Sequence, residues 1–481
     1  MNWLLNHRSE VLLSVLAGLL VFVNLGKLPL QTWDESRLAE NALEAALDGH
    51  WFVSHYEGQP DLWNTKPPLL TAIQGLFIQA VGPSETAVRL PSAMAAVLLI
   101  LAVFRFVKNQ SGDKVRAWVA AGILATSALT VGHHNGRTGD YDALLSLFLF
   151  IASVQFYFYC TTKKNKHLYL SAVLFGLAVL TKGIAGCLHF PSLLLLSFVT
   201  GSLPGLLRSR AFYIAAGIFF TMVASFYLSR EMLAPGYLEA VWNNELGGRF
   251  ASTLEGNRGS FGYYFDHLVN GRFGMWWILL IPALVISYQQ RKTDALGVYG
   301  FTMALPYLLV ISFSETKLEW YDLPALPFLA IVCSFIPASA IAWVSRMNPA
   351  FTPASLAILL FCIPVQSAWN ENYSPSIQDS EQKAYYFALS STLRSALEGH
   401  FDLNGYKLVH DESHQQFRFY QRVLETKGIR VTSSGMEDLI PGDSVLLSMG
   451  HLREKIGQRF QIQELMNDGH TRGLLLLEAR P

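Results

Sequence analysis

Residues 32–70 read TWDESRLAENALEAALDGHWFVSHYEGQPDLWNTKPPLL and follow the first long apolar run of the chain. This polar stretch gathers Asp34, Glu35, Arg37, Glu40, Glu44 and Lys66 at the end of a segment built for hydrocarbon. An ionised side chain at the bilayer centre costs about 2.5–3.5 kcal/mol on insertion scales, so charge collected at the mouth of an apolar bundle calls for a functional explanation. We read the stretch as half of a functional site.

The remainder of the chain supplies the bilayer setting. Of 481 residues, 51% are hydrophobic and only 15% charged, against about 25% charged in an average soluble chain. Thirty-six basic and 36 acidic residues cancel, so no global field favours nucleic acid as a partner. Cys160, Cys187, Cys333 and Cys362 lie far apart within apolar runs, without CxxC or Cys/His spacing, which predicts buried thiols and no zinc. The first 26 residues have the basic start and apolar centre of a leader peptide but no small-residue cleavage site, and are expected to form a retained first span.

Spanning a core of about 30 Å takes about 20 mostly apolar helical residues. Apolar runs near 11–29, 88–107, 115–134, 142–160, 167–182, 184–200, 211–229, 275–289, 294–313, 322–344 and 349–369 give eleven candidate spans. Basic connections at Arg105 to Arg116, Lys163 to Lys166, Arg208/Arg210, Arg291/Lys292 and Arg346 each follow an even number of spans. The positive-inside rule then sets the N-terminus in the cytoplasm and directs residues 30–87, 133–142, 230–274, 314–321 and everything after 370 to the outer face. The run 67–81 is too short to span and is expected as an in-plane or re-entrant helix; Glu35 to Leu47 is expected as a helix, with Asp34 as its N-cap and Gly49 just past its end. The domain division expected is a membrane domain over 1–370, with outer loops 30–87 and 230–274, and an extracytoplasmic domain over 371–481. In the latter, strand-like runs at 407–410, 429–432, 444–448, 460–465 and 473–479 alternate with helical segments, the pattern of a small α/β layer. It carries neither a Gly-rich phosphate loop nor a nucleophile elbow.

Most of the remaining chemistry lies on the outer face. Arg37, Lys66, Arg137, Lys182, Arg249 and Lys317 form a cationic set that positive-inside statistics disfavour there, and a lipid-linked phosphate is the anion such a set suits. The plainer alternative pairs each cation with a neighbouring acid, as Lys317 with Glu315 or Glu319. Asp34 and Glu35 are candidate acids or bases at a membrane mouth, while Asp34 can equally serve only as a helix cap. Asp142 ends an outer loop with Asp140 nearby; two oxygen ligands are a sparse set for a divalent cation, so no metal or other cofactor is expected. Tyr321 either borders this site or belongs to the interfacial aromatic belt. The segment VWNNELGGRF, 241–250, has the character of a lid with a Gly247-Gly248 hinge.

Six motifs in order, WDESRLAE, NTKPPLL, AVRLPSA, RTGDYDALLSLF, GLAVLTKGIAG and KLEWYDLPALP, resemble the GT-C glycosyltransferases related to protein O-mannosyltransferases and bacterial aminoarabinose transferases, over residues 30–330. The resemblance implies a GT-C fold, with about eleven spans and in-plane helices. It also implies an inverting enzyme that moves a sugar from a polyprenyl phosphate to an acceptor at the outer face of an inner membrane. Asp34 and Asp142 would be its loop acids, Lys66 and Arg249 its donor-phosphate contacts, and Lys317 and Tyr321 neighbours of the donor. One position departs: the aminoarabinose transferases carry a glutamate before the lysine of the KP motif, where this chain has Thr65. The implied acceptor is lipid A, lipopolysaccharide or another envelope glycan, with membrane lipids around the chain. Protein O-glycosylation is the alternative within enzymes. A lipid-linked-sugar transporter is the alternative from another class, disfavoured because the charges cluster at one face and no internal repeat is visible.

Overall fold

The computed structural model describes residues 8–132, 134–250, 256–291, 293–373, 381–410, 415–448, 450–467 and 471–479, with the side chains of 246, 249, 250, 381–386 and 450 outside that set. The chain divides into two compact units. One comprises Met1–Val23, His50–Gln74 and Arg89–Tyr373, the other Asn24–Gly49, Gly75–Val88 and Ser374–Pro481.

The larger unit is helical, and the chain is a multi-pass membrane protein. Among the described residues, seven helices are long and apolar enough to cross a membrane: Glu85–Ser111, Asp142–Thr162, Asn165–Cys187, Arg210–Leu233, Ala295–Phe313, Glu319–Met347 and Pro353–Tyr373. The other four expected spans form shorter helices, Arg8–Phe22, Lys114–Ala125, Phe190–Val199 and Gly274–Gln289. Local chemistry explains two of these truncations. In the run 115–134, Thr126, Ser127 and Thr130 turn their hydroxyls back onto the carbonyls of Gly122, Leu124 and Ala125, at 2.8, 2.8 and 2.7 Å, and such back-bonding competes with helix continuation. In the run 184–200, the tight turn Gly183–Cys187 precedes Phe190–Val199, and Pro191 in the first turn of that helix has no N–H with which to continue a helix from upstream.

Asp142–Thr162 and Asn165–Lys182 form an antiparallel hairpin joined at Lys163, whose left-handed backbone has φ 58°. Leu145, Leu149 and Ala152 of the first helix pack on Phe175, Ala178 and Val179 of the second, which aligns the start of one with the end of the other. Gly186 sits so close to this hairpin that a Cβ there would meet the Val179 nitrogen at 2.4 Å. Leu69–Val81, at 13 residues, is about 20 Å long, short of a span.

The second unit is α/β. Its five-stranded sheet has the order 432–433, 407–408, 444–447, 472–479, 460–467, the first three strands parallel and the last two antiparallel additions. Alternation along Ser444–Leu447 feeds two cores: Leu446 joins Leu408, Phe417, Tyr420 and Leu424, whereas Val445 and Leu447 join Leu452, Ile456 and Leu474. Helix Asp34–Asp48 packs Ala39, Ala42 and Leu43 into the first of these. It ends at Gly49 in the left-handed conformation, φ 81°, as the sequence suggests. Its start differs from expectation. Trp33 occupies the cap position and Asp34 is the first helical residue; Glu35 reaches back to accept the N–H of Gln31, two residues before the cap, at 2.8 Å.

Candidate active site

The loop carrying Lys66 is fixed from several directions. Asp61 Oδ1 accepts the N–H groups of Trp63 and Asn64, both at 3.0 Å, which closes a tight turn. The Asn64 amide reaches the Tyr141 hydroxyl at 3.0 Å, Arg230 donates to the Asp61 carbonyl at 3.3 Å, and the Tyr237 hydroxyl donates to the Thr65 carbonyl at 2.7 Å. Pro67 and Pro68 follow, and neither offers an N–H. Lys66 is thereby presented from a rigid support. Its Nζ stands 2.5 Å from Glu245 Oε1, and the same oxygen accepts the Thr65 hydroxyl at 2.9 Å.

A second ion pair faces the same cleft. Asp142 opens helix Asp142–Thr162 and Lys182 closes helix Asn165–Lys182, so the hairpin sets a carboxylate at a positive helix end beside an ammonium at a negative one, 2.5 Å apart. Asp142 is 1% exposed and Lys182 7%. The Lys182 ammonium lies 5.4 Å from the Tyr321 ring centroid. On the far side of Asp142, His134 stacks on Trp320 at 3.5 Å and directs Nδ1 toward Asp140, 3.4 Å, and Asp142, 3.7 Å. The Tyr307 hydroxyl donates to the Tyr321 carbonyl at 2.8 Å and fixes the turn that bears both aromatics.

These groups line one cavity of about 100 Å³. Its polar wall is Lys66, Asp142, Lys182, Glu245, Tyr307 and Tyr321; its apolar wall is Leu145, Ile184, Ala185, Leu188, Val310 and Ile311. A site with paired ammonium groups at one side and aliphatic carbon at the other suits a molecule with an anionic head and a hydrocarbon body.

The cleft therefore brings together Lys66, Asp142, Lys182 and Tyr321 of the residues singled out from sequence. Arg137 points elsewhere: its guanidinium donates to the carbonyls of Leu20, Val21 and Val23 at 3.1, 2.8 and 3.0 Å, closing the end of helix Arg8–Phe22, and lies over Tyr373. Lys317 closes helix Ala295–Phe313 in the same way, donating to the carbonyls of Ile311, Ser312 and Ser314. Burial pushes its ammonium below the usual lysine range. Asp34, Glu35 and Arg37 lie on the first helix of the other unit, and the side chain of Arg249 lies outside the described residues. Two further residues join the cleft only through folding: Glu245, which in sequence is part of a lid, and Tyr307, whose setting in an apolar run looks like that of any membrane tyrosine. Asp140, Asp142 and His134 are a group of side chains with metal-ligand chemistry, His134 Nδ1 lying 3.4 Å from Asp140 and 3.7 Å from Asp142.

Comparison with known proteins bears on what such a cleft serves. Residues 65–228 match the family model described as dolichyl-phosphate-mannose-protein mannosyltransferase. The undecaprenyl phosphate-alpha-4-amino-4-deoxy-L-arabinose arabinosyl transferase of Aeromonas salmonicida is 29% identical over 320 residues, 65% of this chain and 56% of that protein. The corresponding Pseudomonas fluorescens protein is 28% identical over 331 residues, 67% of this chain and 58% of its own length. The chain thus spans a little over half the length of these curated relatives. The crystal structure of ArnT from Cupriavidus metallidurans bound to undecaprenyl phosphate superposes with a TM-score of 0.74 at 15% identity, covering 97% of this chain and 98% of that one. The chain has the GT-C fold and is similar to the bacterial aminoarabinose transferases. At Thr65, where those transferases carry a glutamate, the hydroxyl donates to Glu245, a carboxylate from another segment.

Proposed function

We propose that this protein is an inverting glycosyltransferase that takes a sugar from a polyprenyl phosphate and transfers it to a lipid A, lipopolysaccharide or other envelope glycan acceptor. The observation that carries this reading is the cleft itself, with Lys66 and Lys182 at its polar wall and Leu145, Ile184, Leu188 and Val310 opposite. The donor phosphate lies between the two ammonium groups and the first isoprene units lie along the aliphatic wall. An acceptor oxygen attacks the anomeric carbon as the bond from that carbon to the phosphate oxygen breaks, and the electron pair leaves on polyprenyl phosphate. Lys66 and Lys182, already placed, stabilise the charge that grows on that leaving group. Asp142 keeps the Lys182 ammonium aimed. The proton of a hydroxyl acceptor goes to a carboxylate, for which the resemblance offers Asp34 and the outer-face charge pattern also Glu35; a phosphate acceptor needs no base. The enzyme works in the inner membrane, with the cleft and the C-terminal unit on the periplasmic side.

The test is transfer of label from polyprenyl-phosphate sugars to lipid, glycan and protein fractions of membrane extracts. Label in lipid or glycan, abolished by Lys66→Ala, supports the reading; label in protein reassigns the acceptor. Binding of polyprenyl phosphate without transfer of any sugar refutes catalysis and favours lipid transport.

A further inference from the structure

A second cavity shares one turn of the chain with the cleft. The turn Glu319–Ala325 gives Tyr321 to the cleft wall and Glu319 to the wall of a space of about 710 Å³, against about 100 Å³ for the cleft. Between the two residues Trp320 stacks on His134, and Gly132, two residues before that histidine, lines the larger cavity. Small-molecule pockets run from about 300 to 1,000 Å³, so this one has room for a saccharide.

Its walls are tied together by hydrogen bonds. The Ala128 N–H donates to the Arg272 carbonyl at 2.8 Å, and the Trp276 indole N–H donates to the Thr126 hydroxyl at 2.9 Å. Gly274 turns the chain between those two contacts in the left-handed conformation, φ 57°, where a Cβ would meet the Thr126 carbonyl at 3.4 Å.

The charge of the cavity is the reverse of what a phosphate needs. Asp266, Glu319 and Glu371 line it, each with no ion-pair partner among the described residues. The Arg272 guanidinium is already engaged: it is 8% exposed and donates Nε and Nη2 to Asp322 Oδ1 at 3.3 and 3.2 Å. His267 packs its ring on Tyr263, 4.1 Å between centroids, and even in its protonated form leaves the wall negative. A carboxylate accepts hydrogen bonds and donates none. Three of them, with the Asn270 amide and the apolar surface of Met275 and Pro364, suit a carbon ring rich in O–H donors.

We propose that this cavity holds the acceptor, and that the acceptor is a glycan offering a sugar hydroxyl, with no phosphate at the position glycosylated. Charge then sorts the two substrates to the two sides of the turn 319–321, the donor phosphate to ammonium groups and the acceptor hydroxyls to carboxylates. The inference rests on the reading of the cleft as the donor-phosphate site and names the acceptor class for it. It adds no step to the transfer: the hydroxyl oxygen bonds to the anomeric carbon, the bond from that carbon to the phosphate oxygen breaks, and the hydroxyl proton passes to a carboxylate.

The linkage in the product tests it. A sugar joined to phosphate through its anomeric carbon is released by mild acid, whereas one joined to a sugar hydroxyl is retained. The full-length protein in lipid nanodiscs is supplied with labelled undecaprenyl-phosphate sugars and with the lipid, glycan and protein fractions of membrane extracts. Label should enter lipid or glycan and survive mild acid. Asp266→Asn combined with Glu371→Gln should raise the apparent KM for that acceptor fraction about tenfold, since hydrogen bonds to a charged acceptor are lost, while the donor KM and the melting curve stay put. Acid-labile label, or label on protein, overturns the acceptor class and leaves the protein a glycosyltransferase. Acid-stable label with an acceptor KM unmoved in the double variant overturns the cavity as its site. No transfer from any sugar refutes the reading of the cleft, and this inference with it.

Discussion

Two ion pairs share one cleft and are built on opposite plans. Asp142–Lys182 joins the ends of two packed helices, so its geometry is a by-product of the hairpin and is nearly inaccessible to solvent. Lys66–Glu245 joins a hydrogen-bonded loop to the wide-turned helix Trp242–Phe250, so its geometry depends on two separate segments meeting. The difference is between a pair set within one packed hairpin and a pair that exists only when two distant segments come together. Substituting each member is the direct way to break the comparison.

Lys182→Ala should have the largest effect. Removing one partner of a buried pair leaves an uncompensated charge, at a cost of about 3–5 kcal/mol, and thermal unfolding should report it together with loss of transfer. Replacing both, as Lys182→Met with Asp142→Leu, should recover most of the stability and none of the activity. Recovery of activity would remove this pair from the mechanism.

Lys66→Ala should act on chemistry with much less effect on folding, because its loop is held by Asp61, Asn64 and Tyr237 and not by its own ammonium. Loss of one preorganised contact to a developing charge corresponds to about 10²–10³ in rate. A kcat/KM series with labelled donor, beside a melting curve, separates this outcome from that of Lys182.

Arg137→Ala sharpens the comparison from outside the cleft. Its guanidinium serves carbonyls at a helix end, and stranding those acceptors costs about 1–3 kcal/mol. Melting temperature should fall while the KM for donor stays put. A raised KM with unchanged stability would return Arg137 to the donor site.

Sequence made some of this legible for physical reasons. Lys66 and Asp142 stand at ends of apolar runs, where a charge is conspicuous, and the alternation in Ser444–Leu447 and its neighbours announces a two-sided sheet. Arg137 and Lys317 look the same as Lys66 in a string of letters, because the string records a charge but not the carbonyls that a bundle turns toward it. Glu245 was one polar residue among several in a lid, and only folding brings it to Thr65. The shortening of the run 115–134 was equally hidden, since hydropathy does not report hydroxyls that bond back to the backbone.

The smallest expected effect belongs to Lys317, and it carries a sign. Burial lowers its folded-state value below the ordinary 10.5, so between those two values the unfolded chain binds more protons than the folded one. Stability therefore rises with pH across that window as far as this residue is concerned, the charged form being the one the fold disfavours. Lys317→Met removes the term along with the ammonium's bonds to the Ser312 and Ser314 carbonyls. The melting temperature of the wild type should accordingly gain on that of Lys317→Met as pH climbs toward 10.5, with transfer activity little changed at neutral pH. A gap that narrows instead would mean that the carbonyls at the helix end hold the ammonium charged more strongly than burial opposes it. Lys317 would then be a fully ionised cap, with a positive charge bonded to the carbonyl of Ser314, a residue that also lines the cleft.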